Sequence, residues 1–326
     1  MQYRPEIDGL RALAVIPVIL FHAGFSWFSG GFVGVDVFFV ISGYLITTIL
    51  MNDIEAGRFS LAHFYERRAR RILPALFCVI VVCVPFAWLW LLPGQMKDFS
   101  QSLIAVGLFV SNILFWKESG YFDAAAEEKP LLHTWSLSIE EQFYIIYPLI
   151  LILFFTIKKS LVSFFIFLIF LTSLFFAQWS GNINSKFPFF DENLLFYSQS
   201  YLSEFMMPFG RIWELALGAI CAFMINSKDK NFIITHIRSS KLLYSEIYSV
   251  IGFLLIFFSI FFLSENFPYP SFYSLIPTFG TALLILFCQK KTFVHKVLSN
   301  HTLVFIGLIL SCILTATLIG TCQSSQ

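Results

Sequence analysis

Charge is what this sequence has least of. Only 13% of its 326 residues are Asp, Glu, Lys or Arg, and the mean hydropathy is +0.78, whereas a soluble domain carries about 25% charge. That scarcity excludes the pair of soluble domains that length alone would allow. A net charge of +1 supplies no basic field for nucleic acid. The six cysteines, at 78, 83, 221, 288, 312 and 322, form no C-x-x-C pair and show no metal-ligand spacing, so they read as packing residues and no metal is expected. Neither a P-loop nor a G-x-G-x-x-G is present, which argues against a nucleoside triphosphatase. No internal repeat, long linker or soluble domain is found. The opening Met-Gln-Tyr-Arg-Pro-Glu lacks the positive n-region of a signal peptide, so the first apolar run is expected to be a retained helix.

What is abundant is apolar length: 58% of the residues are hydrophobic and 42 are Phe. The expected fold class is an all-α polytopic integral membrane protein, because a crossing needs about 20 mostly apolar residues and such runs recur along the chain. They centre on 12–28, 32–51, 73–92, 134–157, 160–178, 206–226, 247–263, 275–289 and 302–320. The shorter run 102–116, SLIAVGLFVSNILFW, is expected to be re-entrant or interfacial. If it crossed, Lys158, Lys159 and the later basic loops would fall outside, against the positive-inside rule. This places the N-terminus and the basic segments 58–71, 228–241 and 290–296 in the cytoplasm, with loops 117–130 and 179–205 outside. About nine to ten transmembrane helices plus the re-entrant segment result.

Ionisable groups inside a bilayer are costly, so each one raises a functional or pairing hypothesis. Arg11 and His22 share a face of the first run, about 16 Å apart along a helix. In the second, Asp36, Gly43 and Thr47 form a small and polar stripe. In HTWSLSIEEQFYIIY, His133, Ser136, Glu140, Tyr144 and Tyr147 advance by threes and fours, a stripe expected to face a cavity. Arg211 and Glu214 in PFGRIWELALG can pair at i, i+3. His22, Asp36, Glu140 and Glu214 all map to the outer half of the bilayer, and titratable groups converging on one cavity suit acid/base chemistry. Bland readings stand beside these: a structural pair for Arg211 with Glu214, interfacial anchoring for His133 with Trp135, a satisfied interhelical histidine for His22. The segment HFYERRARRILP carries Arg67, Arg68, Arg70 and Arg71, either a topology signal with anionic lipid contact or a site for a phosphate-bearing donor such as acetyl-CoA.

The stretches YRPEIDGLRALAVIPVILFHAGF, GGFVGVDVFFVISGYLIT, FYERRARRILP, HTWSLSIEEQFY and FGRIWELALG resemble, in order and over nearly the whole chain, membrane acyltransferase family 3. These are the O-acetyltransferases of bacterial surface polysaccharides. The resemblance implies one membrane acyltransferase domain over 1–326, in the bacterial inner membrane. It implies transfer of acetyl from cytosolic acetyl-CoA to a hydroxyl of a polysaccharide or lipid-linked glycan, such as lipopolysaccharide O-antigen. Carried over by motif, the DGLR arginine is Arg11, the first-run histidine is His22, the R-R-x-x-R-I-x-P arginines are Arg67 or Arg68 and Arg71, and the E-E-Q-F-Y acids are Glu140 and Glu141. His22 is then the general base, or is transiently acylated, with Asp36 or Glu140 orienting it. Arg11, Arg67, Arg68 and Arg71 hold the donor, and Glu141, Arg211 and Glu214 face the acceptor. The C-terminus departs from the family pattern: an aromatic helix usually follows LVFIGLI, and this chain reads LSCILTATLIGTCQSSQ. The SGNH esterase-like domain of many relatives is not seen, so a separate SGNH-type partner or an inactive truncated enzyme remain alternatives. So does a glycolipid transporter or flippase, although no repeated halves are visible. A non-catalytic membrane scaffold would have no need of His22. A lipid acyltransferase with H-x-x-x-x-D is disfavoured, since Trp27 follows His22 at that spacing and Arg68 follows His63.

Overall fold

A computed structural model describes residues 3–118, 129–157, 159–180, 205–226, 242–264 and 266–313. The expected loop 228–241, and most of 179–205 and 117–130, lie outside the described residues. Everything regular among the described residues is helical. The α-helices are α1 (Pro5–His22), α2 (Gly34–Glu55), α3 (Leu61–Trp90), α4 (Pro93–Gly107), α5 (Ser111–Lys117), α6 (Thr134–Ile157), α7 (Lys159–Ser180), α8 (Ile212–Asn226), α9 (Leu242–Phe262), α10 (Leu275–Phe287), α11 (Phe293–Leu298) and α12 (His301–Ile313). Five helical stretches are long and apolar enough to cross a membrane: Gly31–Glu55, Leu61–Trp90, Thr134–Phe155, Leu161–Trp179 and Leu242–Phe262.

α2 is the hub, packed against α1, α6, α8 and α10. Between α2 and α8 the approach is close enough to demand glycine on both sides. A Cβ at Gly43 would strike the Leu215 carbonyl, and one at Gly218 the Val40 carbonyl. Small residues at helix contacts let backbones meet where no hydrophobic drive favours association within lipid. α1 crosses α2 where Gly34 meets the Ala14 carbonyl, and α12 where Gly307 meets that of Asp8.

Two boundaries differ from expectation. The first helix runs over Pro5–His22 rather than 12–28: Pro5 starts it at the first turn, and Gly24 at φ 80 turns the chain away beyond it. His22 therefore ends a helix instead of lying inside one. The run 102–116 is broken into α4 and α5 around Phe109, which adopts φ 55. Gln142 on α6 donates to the Phe109 carbonyl (2.9 Å) and to Asn112 Oδ1 (2.8 Å). Ser111, Ser138 and Thr134 join hydroxyls across the α5–α6 contact. The break is thus pinned by side chains, as non-helical backbone within protein must be.

α3 is different in kind. It is 30 residues long, yet only 22% of its most apolar stretch is buried. Phe77, Val81, Val82, Phe86, Trp88 and Leu89 are exposed. Such a face suits lipid, while Phe64, Leu76, Val79, Cys83 and Ala87 form the narrow stripe that is buried.

Candidate active site

At the end of α1, the Nδ1 of His22 lies 2.8 Å from the Val18 carbonyl. A carbonyl can only accept, so Nδ1 carries the proton and the neutral ring keeps its lone pair on Nε2. The His133 ring, just before α6, meets His22 edge to face, with centroids 4.4 Å apart and planes at 82°. Phe21 makes a similar contact at 5.0 Å. The expectation that Asp36 or Glu140 orients the imidazole is not met. Nδ1 is taken by Val18, and both carboxylates are engaged elsewhere.

Glu140 belongs to a second cluster. Its Oε1 accepts from Ser42 (2.8 Å) and its Oε2 from Tyr144 (3.4 Å). Thr47 donates to the Tyr147 hydroxyl at 2.9 Å, so the α6 stripe faces α2 rather than an open cavity at these positions. Arg11, bonded to Asp8 at 2.9 Å, lies within electrostatic range of Glu140, Tyr144 and Arg71. Arg68 spreads over the Tyr144 and Phe64 rings, 5.5 and 5.9 Å from their centroids, and Glu141 is among its charged neighbours. Glu141 is buried, and its Oε1 has no hydrogen-bond partner among the described residues.

The four arginines of α3 are unequal. Arg67 is bound to Asp53 at 2.6 Å and Arg70 to Glu66 at 2.7 Å. Neither Arg68 nor Arg71 has an ion pair or hydrogen bond among the described residues, so their N–H donors are uncommitted. Where the motif left Arg67 or Arg68 open, the geometry favours Arg68 with Arg71. The reason lies outside the motif, in Asp53 at the end of α2.

Asp36, Arg211 and Glu214 form a third cluster, each with its side chain at 0% exposure. Arg211 Nη1 bonds Asp36 at 2.6 Å and Glu214 at 2.9 Å, and its Nε bonds the Phe205 carbonyl at 3.3 Å. Phe205, Tyr269 and Trp135 enclose the guanidinium at 4.2, 5.3 and 5.7 Å from their ring centroids. Asp36 Oδ2, Glu214 Oε2 and Arg211 Nη2 have no hydrogen-bond partner among the described residues. Sealed in this way, Arg211 and Glu214 do not face an acceptor in this conformation, and Asp36 joins them instead of His22. The four acids and bases expected to converge are divided among three clusters.

Among the described residues no group of three His, Cys, Asp or Glu could hold a metal ion. The family profile described as an acyltransferase domain, of the acyltransferase 3 type, matches residues 4–318. The chain belongs to this family. Among its relatives, the peptidoglycan O-acetyltransferase OatA of Listeria monocytogenes is 48% identical over 155 residues, 47% of this chain and 25% of that protein. The O-acetyltransferase OatA of Staphylococcus aureus is 43% identical over 152 residues, 46% of this chain and 25% of that protein. A Staphylococcus aureus protein provisionally named as an O-acetyltransferase is 33% identical over 319 residues, 94% of this chain and 49% of that protein. The chain thus spans at most about half the length of these relatives. No solved structure matches it. Family and apolar helices together make this a multi-pass membrane protein of the acyltransferase 3 family.

Proposed function

We propose that the chain moves an acetyl group from cytosolic acetyl-CoA to a hydroxyl of a cell-surface glycan. His22 is the reacting base, and Arg68, Arg71 and Arg11 receive the donor's phosphates. The observation that carries this reading is the hydrogen bond from His22 Nδ1 to Val18, which directs the lone pair to Nε2. Arg11 lies eleven residues earlier on the same helix, about 16 Å away. In the proposed step Nε2 takes the hydroxyl proton as the hydroxyl oxygen bonds to the thioester carbonyl carbon. The carbon–sulfur bond then breaks, and the proton passes to the departing thiolate of CoA. If His22 is acylated first, the same lone pair bonds to the thioester carbon as the carbon–sulfur bond breaks and CoA leaves as thiolate. The glycan hydroxyl then takes the acetyl group from Nε2, and its proton ends on that thiolate. Glu140, held by Ser42 and Tyr144, is placed near the donor arginines, where it helps position them. Glu141 shares that end, while Asp36, Arg211 and Glu214 support the site from a distance.

The relative named as a peptidoglycan O-acetyltransferase favours peptidoglycan as the acceptor over lipopolysaccharide O-antigen. About nine to ten crossings of the bacterial inner membrane, with a cytoplasmic N-terminus, complete the proposal. In a relay form of the proposal, the attacking hydroxyl belongs to a separate SGNH-type protein at the outer face, which passes the acetyl group on to the glycan. Mass spectrometry of surface glycan from cells with and without the gene tests the activity. His22→Gln at equal protein level tests the mechanism: loss of about 10²-fold is expected for a general base. Wild-type acetylation by that variant removes His22 from the chemistry.

A further inference from the structure

A base is useful only if its lone pair holds one direction, and His22 stands where that is hard to maintain. It is the last residue of α1, and Ala23 through Trp27 beyond it are exposed. Helix ends fray, and rotation about a bond to an sp² ring has broad, nearly two-fold preferences. The Val18 bond comes from the same turn, so it moves with the end that it is meant to fix. Restraint has to arrive from a different element.

His133 supplies it. Its ring abuts that of His22 from the start of α6, and its own footing is firm on the C-terminal side. Thr134, buried, bonds the Leu131 carbonyl at 2.7 Å and Ser111 at 2.9 Å. Trp135, buried, packs against Phe39 and Phe205 and lies under Arg211. The sealed Asp36–Arg211–Glu214 cluster therefore braces the segment that carries His133. Edge-to-face ring pairs have a preferred geometry, which is what a hinge-like side chain needs from its neighbour.

We propose that His133 is a positioning residue for His22, packing edge to face so that the imidazole keeps Nδ1 on Val18 and Nε2 toward the acceptor. The inference rests on the reading of His22 as the reacting group. What matters in His133 is the ring rather than its protons, so His133→Phe should serve and His133→Ala should not. Two measurements on the full chain decide it. The first is ¹⁵N magnetic resonance of the His22 ring in purified protein in lipid nanodiscs. One Nδ1–H tautomer is expected in the wild type and in His133→Phe, and a mixture in His133→Ala. The second is acetyl transfer in membrane vesicles carrying their native glycan. There His133→Ala should lose about 10- to 100-fold in kcat, as for a misaligned reacting group, with KM for acetyl-CoA unchanged, while His133→Phe stays near wild type. A single Nδ1–H tautomer in His133→Ala overturns the inference, as does a His133→Phe variant as inactive as His133→Ala. Full transfer by His22→Gln overturns the reading of His22 as the base instead, and the tautomer result then still reports on the ring contact alone.

Discussion

Arg211→Met is expected to have a large consequence for stability. It removes the guanidinium that two carboxylates share, Asp36 on α2 and Glu214 on α8, all with side chains at 0% exposure. Methionine fills most of the volume among Phe205, Tyr269 and Trp135, so the charge is isolated from the packing. Breaking a buried pair by removing one partner costs about 3–5 kcal/mol, since the other charge stays buried and unpaired. At about 2 °C per kcal/mol for a chain of this size, the melting temperature in detergent should fall by roughly 6–10 °C. Adding Asp36→Asn and Glu214→Gln to the same chain should recover most of the loss, because neutral amides need no counter-ion. Intrinsic fluorescence during a thermal ramp, with size-exclusion recovery, gives the numbers. An Arg211→Met protein within about 1 kcal/mol of wild type would refute the argument that the cluster is a buried ionic lock. So would a triple variant no better than the single.

Other expectations follow from the same geometry. Arg68→Ala and Arg71→Ala should each weaken acetyl-CoA binding by about 1.5–3 kcal/mol, the worth of a charge-assisted hydrogen bond. Arg67→Ala and Arg70→Ala, whose partners are Asp53 and Glu66, should change it little; equal effects for all four by calorimetry would contradict the division. A cysteine replacing Arg58, with the background cysteines removed, should resist an impermeant maleimide in intact spheroplasts and react after lysis. Labelling before lysis reverses the proposed topology. Gly218→Val should separate α2 from α8, because its side chain would meet the Val40 backbone. Native levels and melting temperature in this variant would show that the close approach is not required.

How far the sequence alone reaches depends on whether a feature is local. The apolar runs and the Arg211–Glu214 pair were readable because both follow from short-range periodicity. The start of α1 was also present, in Pro5, but the charge of its first turns drew the expected span forward to residue 12. Hydropathy could not report the break at Phe109, which Gln142 secures from 33 residues away. Asp36 was recognised as costly, yet its partner lies 175 residues further along, and no spacing rule connects the two. His133 was read both as the start of the polar stripe and as an interfacial anchor, because nothing in HTWSLSIEEQFY reveals which side chain will face it. Arg67 and Arg68 were indistinguishable by motif, and only Asp53 separates them.

The length of α3 has a consequence for the membrane itself. Thirty helical residues extend about 45 Å, against a hydrocarbon core of about 30 Å. The surplus of about 15 Å amounts to about ten residues, and the exposed Trp88 and Trp90, suited to an interface at the far end, leave it to be taken up at Leu61–Arg70. Arg68 and Arg71 then stand at the depth of the lipid phosphates, with donors that suit a headgroup as well as a nucleotide. Anionic lipid would compete with acetyl-CoA for the same two guanidiniums, so the apparent affinity for the donor should fall as phosphatidylglycerol replaces a zwitterionic lipid, and added salt should narrow the difference.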